Sequence, residues 1–586
     1  MSNLLIFKKG KACLLLINIC FLALTAISCN LSNSRHSERS TEETDAKIHQ
    51  TLNVKNFQAK GDGIVDDTKA IQATINAAQK GDTVLIPDGR FKVRTLILKS
   101  DISIKGIGLL KQHLAADTQN YSRRIQNSSN PLFFGRNLKN ITLNFRAETL
   151  NEALYISKSS DIKISYTNIK GNAKKIKSFP ALLFYECDTI RIDHSSVREY
   201  GSPRLSAKTY QAGTAIRLLS CSDITIEGNK LQYNGENGIF MHGSSSAVIN
   251  NNLISHNGMS AIQIGFGKTK KERGFIISNN ILEHNAADAI DINNKITPTP
   301  LVIDCFIKNN KSFYNGFVNG ESTVDGSGLA TLVNVSKVTI ANNVSNKSNR
   351  PALYLDNCGD ILAKHNKTDN KIEIVNSFNK ITLQDNIFDA ITILAHVKGK
   401  SLHVTRNEMR TLLLPNAISI DSLILHQNKL TNASLNINME GNLLMTKNII
   451  NSNAPSGAIL LVNINSAQLD QNQIKSTRFY AITVRKMAKK VNLRNNIIQS
   501  VDACIYDEGS ENLTLSQNKL HSIPGGKLSR TFISKNPNHL KMQQNEHIGG
   551  KSDNSIRFEG TGIAFLSDEK IISGYPDYGK VVIKKF

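Results

Sequence analysis

One spacing constrains this chain more than any other feature. From about residue 150 onward an apolar-x-apolar strand start recurs thirteen residues ahead of a position most often held by Asn. Thr214 to Asn229 and Pro351 to Asn366 show the unit in full, with Ile216 and Leu353 as the apolar starts. The same thirteen separates Leu154/Thr167, Leu182/Ser195, Ile239/Asn252, Ala330/Asn343, Leu435/Asn448, Ile459/Asn472, Ile482/Asn495, Ile505/Asn518 and Phe532/Asn545. Units recur about every 25 residues between Arg146 and Asn545. A period of that size marks an array in which each unit buries its apolar face only against its neighbours.

Within each unit the apolar residues alternate with period two, so it holds three short strands joined by turns. Asn at the turns tolerates a left-handed backbone, and stacked Asn amides can hydrogen-bond from one coil to the next. The expected fold is therefore an all-β solenoid of about seventeen coils, one continuous body despite a length of 586 residues. With 40% hydrophobic residues the chain can fill such an interior, which excludes a wholly disordered protein.

The N-terminal segment narrows the type. Val54-Lys-Asn-Phe-Gln-Ala-Lys-Gly-Asp-Gly-Ile-Val-Asp-Asp-Thr and the later Thr83-Val-Leu-Ile-Pro-Asp-Gly-Arg-Phe resemble the opening of the pectate-lyase superfamily. The resemblance implies a single-stranded right-handed parallel β-helix with an N-terminal capping helix. Asp66 or Asp67 would cap that helix, and Ala70, Ile71, Ile75 and Ala78 would form its apolar face over the open first coil. Gly61-Asp62-Gly63 reads as a turn and cap, without P-loop or EF-hand spacing; Ca2+ stays open as a cofactor, and no metal site is assigned.

The first residues read as an address. Lys8, Lys9 and Lys11 precede an apolar run from Cys13 to Ile27, and Ala26-Ile27-Ser28-Cys29 resembles a bacterial lipoprotein signal, departing from it at Ala26. The resemblance implies lipidation at Cys29 and a protein exported to the cell envelope, anchored in the outer membrane or facing the periplasm. The expected organisation is signal 1–28, flexible tether 29–50, cap and first coils 51–110, β-helix 111–548 and C-terminal tail or cap 549–586. The five later cysteines, Cys187, Cys221, Cys305, Cys358 and Cys504, are too sparse for a disulfide scaffold and lack zinc spacing.

Charge points to the partner. Lysine and arginine exceed the acids by 23, spread along the chain without basic blocks carrying interleaved aromatics. For an exported solenoid this fits an acidic polysaccharide rather than nucleic acid. The lack of Trp agrees, because flat aromatic stacking of neutral glycans then rests on Tyr and Phe alone. A monomer is expected.

Coils average about 22 residues from Asn366 to Asn545 but about 30 from Ser195 to Asn343, so enlarged loops concentrate at 198–213, 265–274, 294–301 and 314–328. Alternation places Leu183, Arg217, Phe240, Gln263, Asp291, Thr331 and Tyr354 in one outward column of the first strand. Tyr185, Leu219, His242, Gly265, Asn293, Val333 and Asp356 form the second. The family resemblance locates a polysaccharide groove on this sheet, while no family catalytic motif aligns residue for residue.

Two chemistries fit that face. A lyase acting on a uronate needs a base for the proton beside the carboxylate and a cation to neutralise it. His242 or Tyr185 would be the base and Arg217 the cation, with Phe240, Gln263, Lys268, Lys270, Lys271, Arg273, Asn293, Tyr354 and Asp356 holding substrate. Uronate epimerisation shares that proton abstraction. A hydrolase needs two carboxylates, Asp291 with Asp288, Asp325 or Asp356. The leading expectation is β-elimination, the second glycoside hydrolysis, and the third a non-catalytic glycan-binding surface protein, favoured by the plain coils after Asn366. His256 and His284, aligned with Tyr233 and Tyr314, read as a structural stack.

Overall fold

A computed structural model describes residues 49–586 apart from 114–129, 175–178, 203–205, 207–208, 210–211, 268–270, 324–325, 415–417, 527–528 and 551–553. Cys29, Lys268, Lys270 and Asp325 lie outside the described residues. The chain is a parallel β-solenoid of about twenty turns, with one α-helix among the described residues. A representative turn runs through a first strand Ile216–Leu219, a second strand Ser222–Glu227 and a third strand Lys230–Gln232. Each pairs in parallel with its counterpart one turn on, Ile216 with Ile239, Ile224 with Ala247 and Lys230 with Leu253. The single antiparallel pairing among the described residues is a small hairpin, Phe317–Val318 with Glu321–Ser322.

There are more turns than the seventeen expected because the stack continues where the Asn repeat does not. At the N-terminal end Thr51–Asn53, Thr83–Ile86 and Ser103–Gln112 already pair. At the other end residues 549–586, set apart in the sequence as tail or cap, carry the strands Asn554–Glu559, Thr561–Ser567 and Lys580–Lys585, which extend the sheets.

The helix, α1 (Thr68–Ala77), buries Ile71, Ile75 and Ala78 in the same hydrophobic core as the first turns. Burying each of the two isoleucines stabilises by about 1.5–3 kcal/mol. Asp66 satisfies the helix start, accepting from the Thr68 N–H at 3.0 Å and hydroxyl at 2.5 Å. Asp67 turns back instead and accepts from the Lys60 and Gly61 N–H groups, tying the Gly61-Asp62-Gly63 turn to the helix.

The Asn ladder is continuous from Asn229 to Asn545. Asn280 Oδ1 accepts from both the backbone N–H and the side-chain amide of Asn252, while its own Nδ2 donates to Ile249 O and to Asn310 Oδ1. At the far end Asn545 donates to Glu569 Oε1 through its N–H and its side-chain amide, and Glu569 Oε2 meets the fully buried His547 at 2.7 Å. Two sequence expectations need correction here. The left-handed residue is the one before the ladder Asn (Asn251, Asn279, Arg406, Lys447, Asn495), so the ladder amides are selected for hydrogen bonding and not for backbone conformation. For the same reason the ladder runs through Asn496, and Asn495 is its left-handed neighbour.

A second, shorter ladder joins Asn234, Asn257, Asn285 and Asn315 at the turn from third strand to first. Beside it Tyr233, His256, His284 and Tyr314 stack at 4.7–4.9 Å, the column expected from their alignment. Cys187, Cys221 and Cys358 are free, buried and packed at one turn position. Replacing Asn280 by Ala strands the buried Asn252 N–H, and should lower stability by about 1–3 kcal/mol in urea titration. Asp at the same position places an acceptor against Asn310 Oδ1 and buries a charge; it should cost more, with faster amide exchange at Asn252.

Candidate active site

The pairing register reproduces both outward columns of the first-strand sheet, from Leu183 and Tyr185 to Tyr354 and Asp356. It does not gather all the expected residues at one place. Asp291, Gln263, Asn293, Tyr354 and Asp356 line a single cleft of about 490 Å³, together with Asp288, Lys295, Thr331 and Arg350. Arg217, His242, Tyr185, Phe240, Lys271 and Arg273 are not part of its wall.

Two insertions build the cleft. Asp288 lies in the turn leading into the strand Ile290–Asn293, where Asp291 points outward. The enlarged loop 314–328 folds back over that turn, with Thr323 donating to Ala286 O at 2.8 Å. It brings the Ser327 N–H and hydroxyl to Asp288 Oδ1 at 2.8 and 3.1 Å, and Thr331 donates to the same oxygen at 2.5 Å. The second insertion, after Asn293, is pinned by Asn294 Oδ1, which accepts from Ile296 N–H, and presents Lys295 at the cleft.

Burial sets the acid strength. Desolvation pushes the Asp288 carboxyl above the usual carboxylate range, against the hydrogen bonds it accepts from Thr331 and Ser327. For Asp291 desolvation, reinforced by the neighbouring Asp288, raises the pKa to about 7, while Gln263 donating at 2.8 Å and the nearby Lys295 pull it down. Asp291 Oδ1 is buried without a hydrogen-bond partner among the described residues. Burial thus pushes both carboxyls toward the protonated form, Asp288 despite the donors around it. The pair therefore keeps a proton near neutral pH, as required of a general acid.

The other expected residues are engaged elsewhere. Arg217 is buried and donates to Glu236 Oε2 at 2.7 Å and Thr214 Oγ1 at 2.9 Å, with its guanidinium 5.0 Å from the Phe240 ring. Its charge is already matched by Glu236, which removes the reason to assign it as the neutralising cation. His242 is exposed on its strand. The Tyr185 phenol is raised, first by its hydrogen bond to Glu186 and then by burial, which disfavours it as a base. Lys271 and Arg273 are exposed on a loop held by Glu272, which accepts from Gly267 N–H at 2.7 Å.

Strand alternation alone could not find Lys295 or Arg350, since both sit in turns. The available signal was their position: Lys295 opens a named insertion, and Arg350, left-handed with φ 65°, precedes Pro351 one turn from Thr331.

Residues 51–198 match the family described as rhamnogalacturonase A/epimerase, pectate lyase-like, and residues 181–271 match the right-handed beta helix region. Both segments end before Asp288. Alginate lyase 7 of Azotobacter vinelandii is 49% identical over 67 residues, 10% of this chain and 8% of that protein. An exo-poly-alpha-D-galacturonosidase of Dickeya chrysanthemi is 37% identical over 89 residues, 15% of each. The chain thus spans well under a fifth of these curated relatives. A hyperthermoactive exopolygalacturonase from Thermotoga maritima superposes with a TM-score of 0.35 at 13% identity, covering 62% of this chain and 91% of that one.

The raised Asp291 has a signed consequence for stability. Its folded pKa of about 7 exceeds the unfolded value of about 3.9, so the contribution is complete below pH ~4 and is lost as pH rises through 7. Asp291→Asn, uncharged throughout, should melt higher than the parent at pH 8 and differ little from it at pH 4, by scanning calorimetry.

Proposed function

We propose that this chain, a member of the pectate-lyase-like right-handed β-helix superfamily, is an enzyme that hydrolyses an acidic polysaccharide in the Asp288–Asp291 cleft. The observation that carries this reading is the buried carboxyl pair holding a proton near neutrality beside two cations, Lys295 and Arg350. Curated relatives named for alginate and polygalacturonate, both polyuronates, support the substrate class.

In this reading Asp291 donates its proton to the glycosidic oxygen as the bond to the leaving sugar breaks. Asp356 takes a proton from the water that attacks the anomeric carbon from the opposite side. The strands carrying Asp291 and Asp356 are two rungs apart. At ~4.8 Å per rung the strands are ~9.6 Å apart, wider than the ~5 Å of a retaining pair and with room for a water between the carboxyls. Lys295 and Arg350 hold the substrate carboxylates, and Gln263 fixes the Asp291 carboxyl.

Elimination is the weaker reading because the one phenol of the lining, Tyr354, is poorly suited to be its base. Burial, with Asp356 and Glu373 nearby, pushes the Tyr354 phenol upward, so it stays protonated at neutral pH. Export with lipid attachment at Cys29 remains part of the proposal; radiolabelled palmitate should enter the expressed protein and not Cys29→Ala.

Incubation with polygalacturonate and with alginate should release reducing ends without the ultraviolet absorbance of an unsaturated uronate, and NMR of the first product should show inverted anomeric configuration. Asp291→Asn should lower kcat by about 10²–10⁴, and kcat/KM of the parent should fall above pH about 7 as Asp291 ionises. An unsaturated product would overturn hydrolysis in favour of elimination.

A further inference from the structure

The coils after Asn366 show no loop enlargement in the sequence average, yet they carry a second recess. Two contiguous hollows of about 340 and 320 Å³ share Asn432 and Asn453 and lie at the turns from third strand to first. Their origin is a change in turn length. Ladder steps are 20 or 21 residues from Asn366 to Asn448, then 24 from Asn448 to Asn472 and again to Asn496. The added residues fall in the turns 453–457 and 477–480, which stand out beside the tight turns at Arg410 and Asn432.

The lining is one-sided in charge. Arg410, Lys475 and Arg478 contribute cations, Asn432, Asn453 and Thr477 contribute neutral hydrogen-bonding groups, and no carboxylate lines either hollow. Arg410 is held in place by Asp389, at 2.9 and 3.0 Å. Lys475 and Arg478 are exposed, and among the described residues neither has an ion-pair partner. Leu413, Ala454 and Pro455 give the trough an apolar side opposite these charges. Unpaired cations beside amides and a small apolar side make a recognition surface for a chain that alternates anionic groups with C–H faces. The rung spacing of ~4.8 Å is close to the rise of one sugar in an extended chain.

We propose that this trough is a second, non-catalytic site that binds an anionic oligosaccharide along the Arg410–Arg478 turns. It stands independently of the reaction assigned to the Asp291 cleft, since it is read by binding alone. Several turns separate the two sites, so a single long polymer can occupy both, and binding here would raise the local concentration of substrate.

The test uses the full chain with Asp291→Asn to prevent turnover, titrated calorimetrically with hexamers of oligogalacturonate, a carrageenan oligosaccharide and neutral cellohexaose. Two sites per chain are expected with an anionic hexamer, the carboxylate and sulfate arms identifying which anion is preferred. Adding Lys475→Ala and Arg478→Ala should remove one site or weaken it about tenfold or more, with an unchanged thermal melt. Arg478→Glu should act in the same direction. One site that ignores these substitutions overturns the proposal, as does equal binding of cellohexaose, or binding of duplex DNA or anionic vesicles as tight as that of the hexamers. If the two sites are found but the parent releases no product from polyuronates, the hydrolase reading fails while this one stands.

Discussion

Everything in this molecule depends on a buried amide that must be hydrogen-bonded on every side. Each ladder Asn accepts from the backbone and side chain of the preceding Asn and donates onward to the next. An unpaired buried amide costs about 1–3 kcal/mol. The turn between second and third strands is therefore fixed to one conformation and one register. The third strands are only two to four residues long and would not persist in isolation; the ladder fixes where each begins. It leaves the opposite corner free, because the turn from third strand to first carries its own ladder only from Asn234 to Asn315. Loop length varies at that corner, in 314–328 and in the turns 453–457 and 477–480, and also between first and second strands, where the insertion 294–301 brings Lys295 to the cleft.

The candidate site follows from that freedom. The first-strand sheet holds Gln263, Asp291 and Thr331 at one rung intervals, while Ser327 at the end of the enlarged loop donates to Asp288. Acidity is thus produced by the scaffold and a loop together. The strand gives position, and the loop gives Asp288 its hydrogen-bond donors. The same sheet outside the loop's cover carries Arg217 and His242 without gathering them into a site, which shows that an outward column is a set of addresses and not yet a cleft.

The fold was legible in the sequence because its rules are local and repeated. Period-two alternation and a thirteen-residue spacing place Ile216, Ile239 and Ile262 inward and Arg217, Phe240 and Gln263 outward, and the pairing agrees residue for residue. The reading slipped where two Asn are adjacent, at Asn495 and Asn496, because spacing cannot tell the left-handed residue from the hydrogen-bonded one. The site was only half legible. Asp291, with Asp288 and Asp356 as candidate partners, could be named from alternation and insertion. Lys295, Arg350 and the hydrogen bonds that Ser327 gives Asp288 could not, because these depend on how irregular loops fold over a sheet, and no periodicity reports that. Arg217 misled for a related reason: its partner Glu236 sits in the following turn, outside any strand pattern.

The end of the ladder has a consequence of its own. Because every Asn accepts from one side and donates to the other, the row has a direction, and its last member carries a donor with no further Asn to receive it. Glu569 fills that role as a pure acceptor, and His547 lies against its second oxygen. A carboxylate there works as a stop signal: it can receive the row but cannot pass it on. The end of the ladder is thus written in hydrogen-bond polarity.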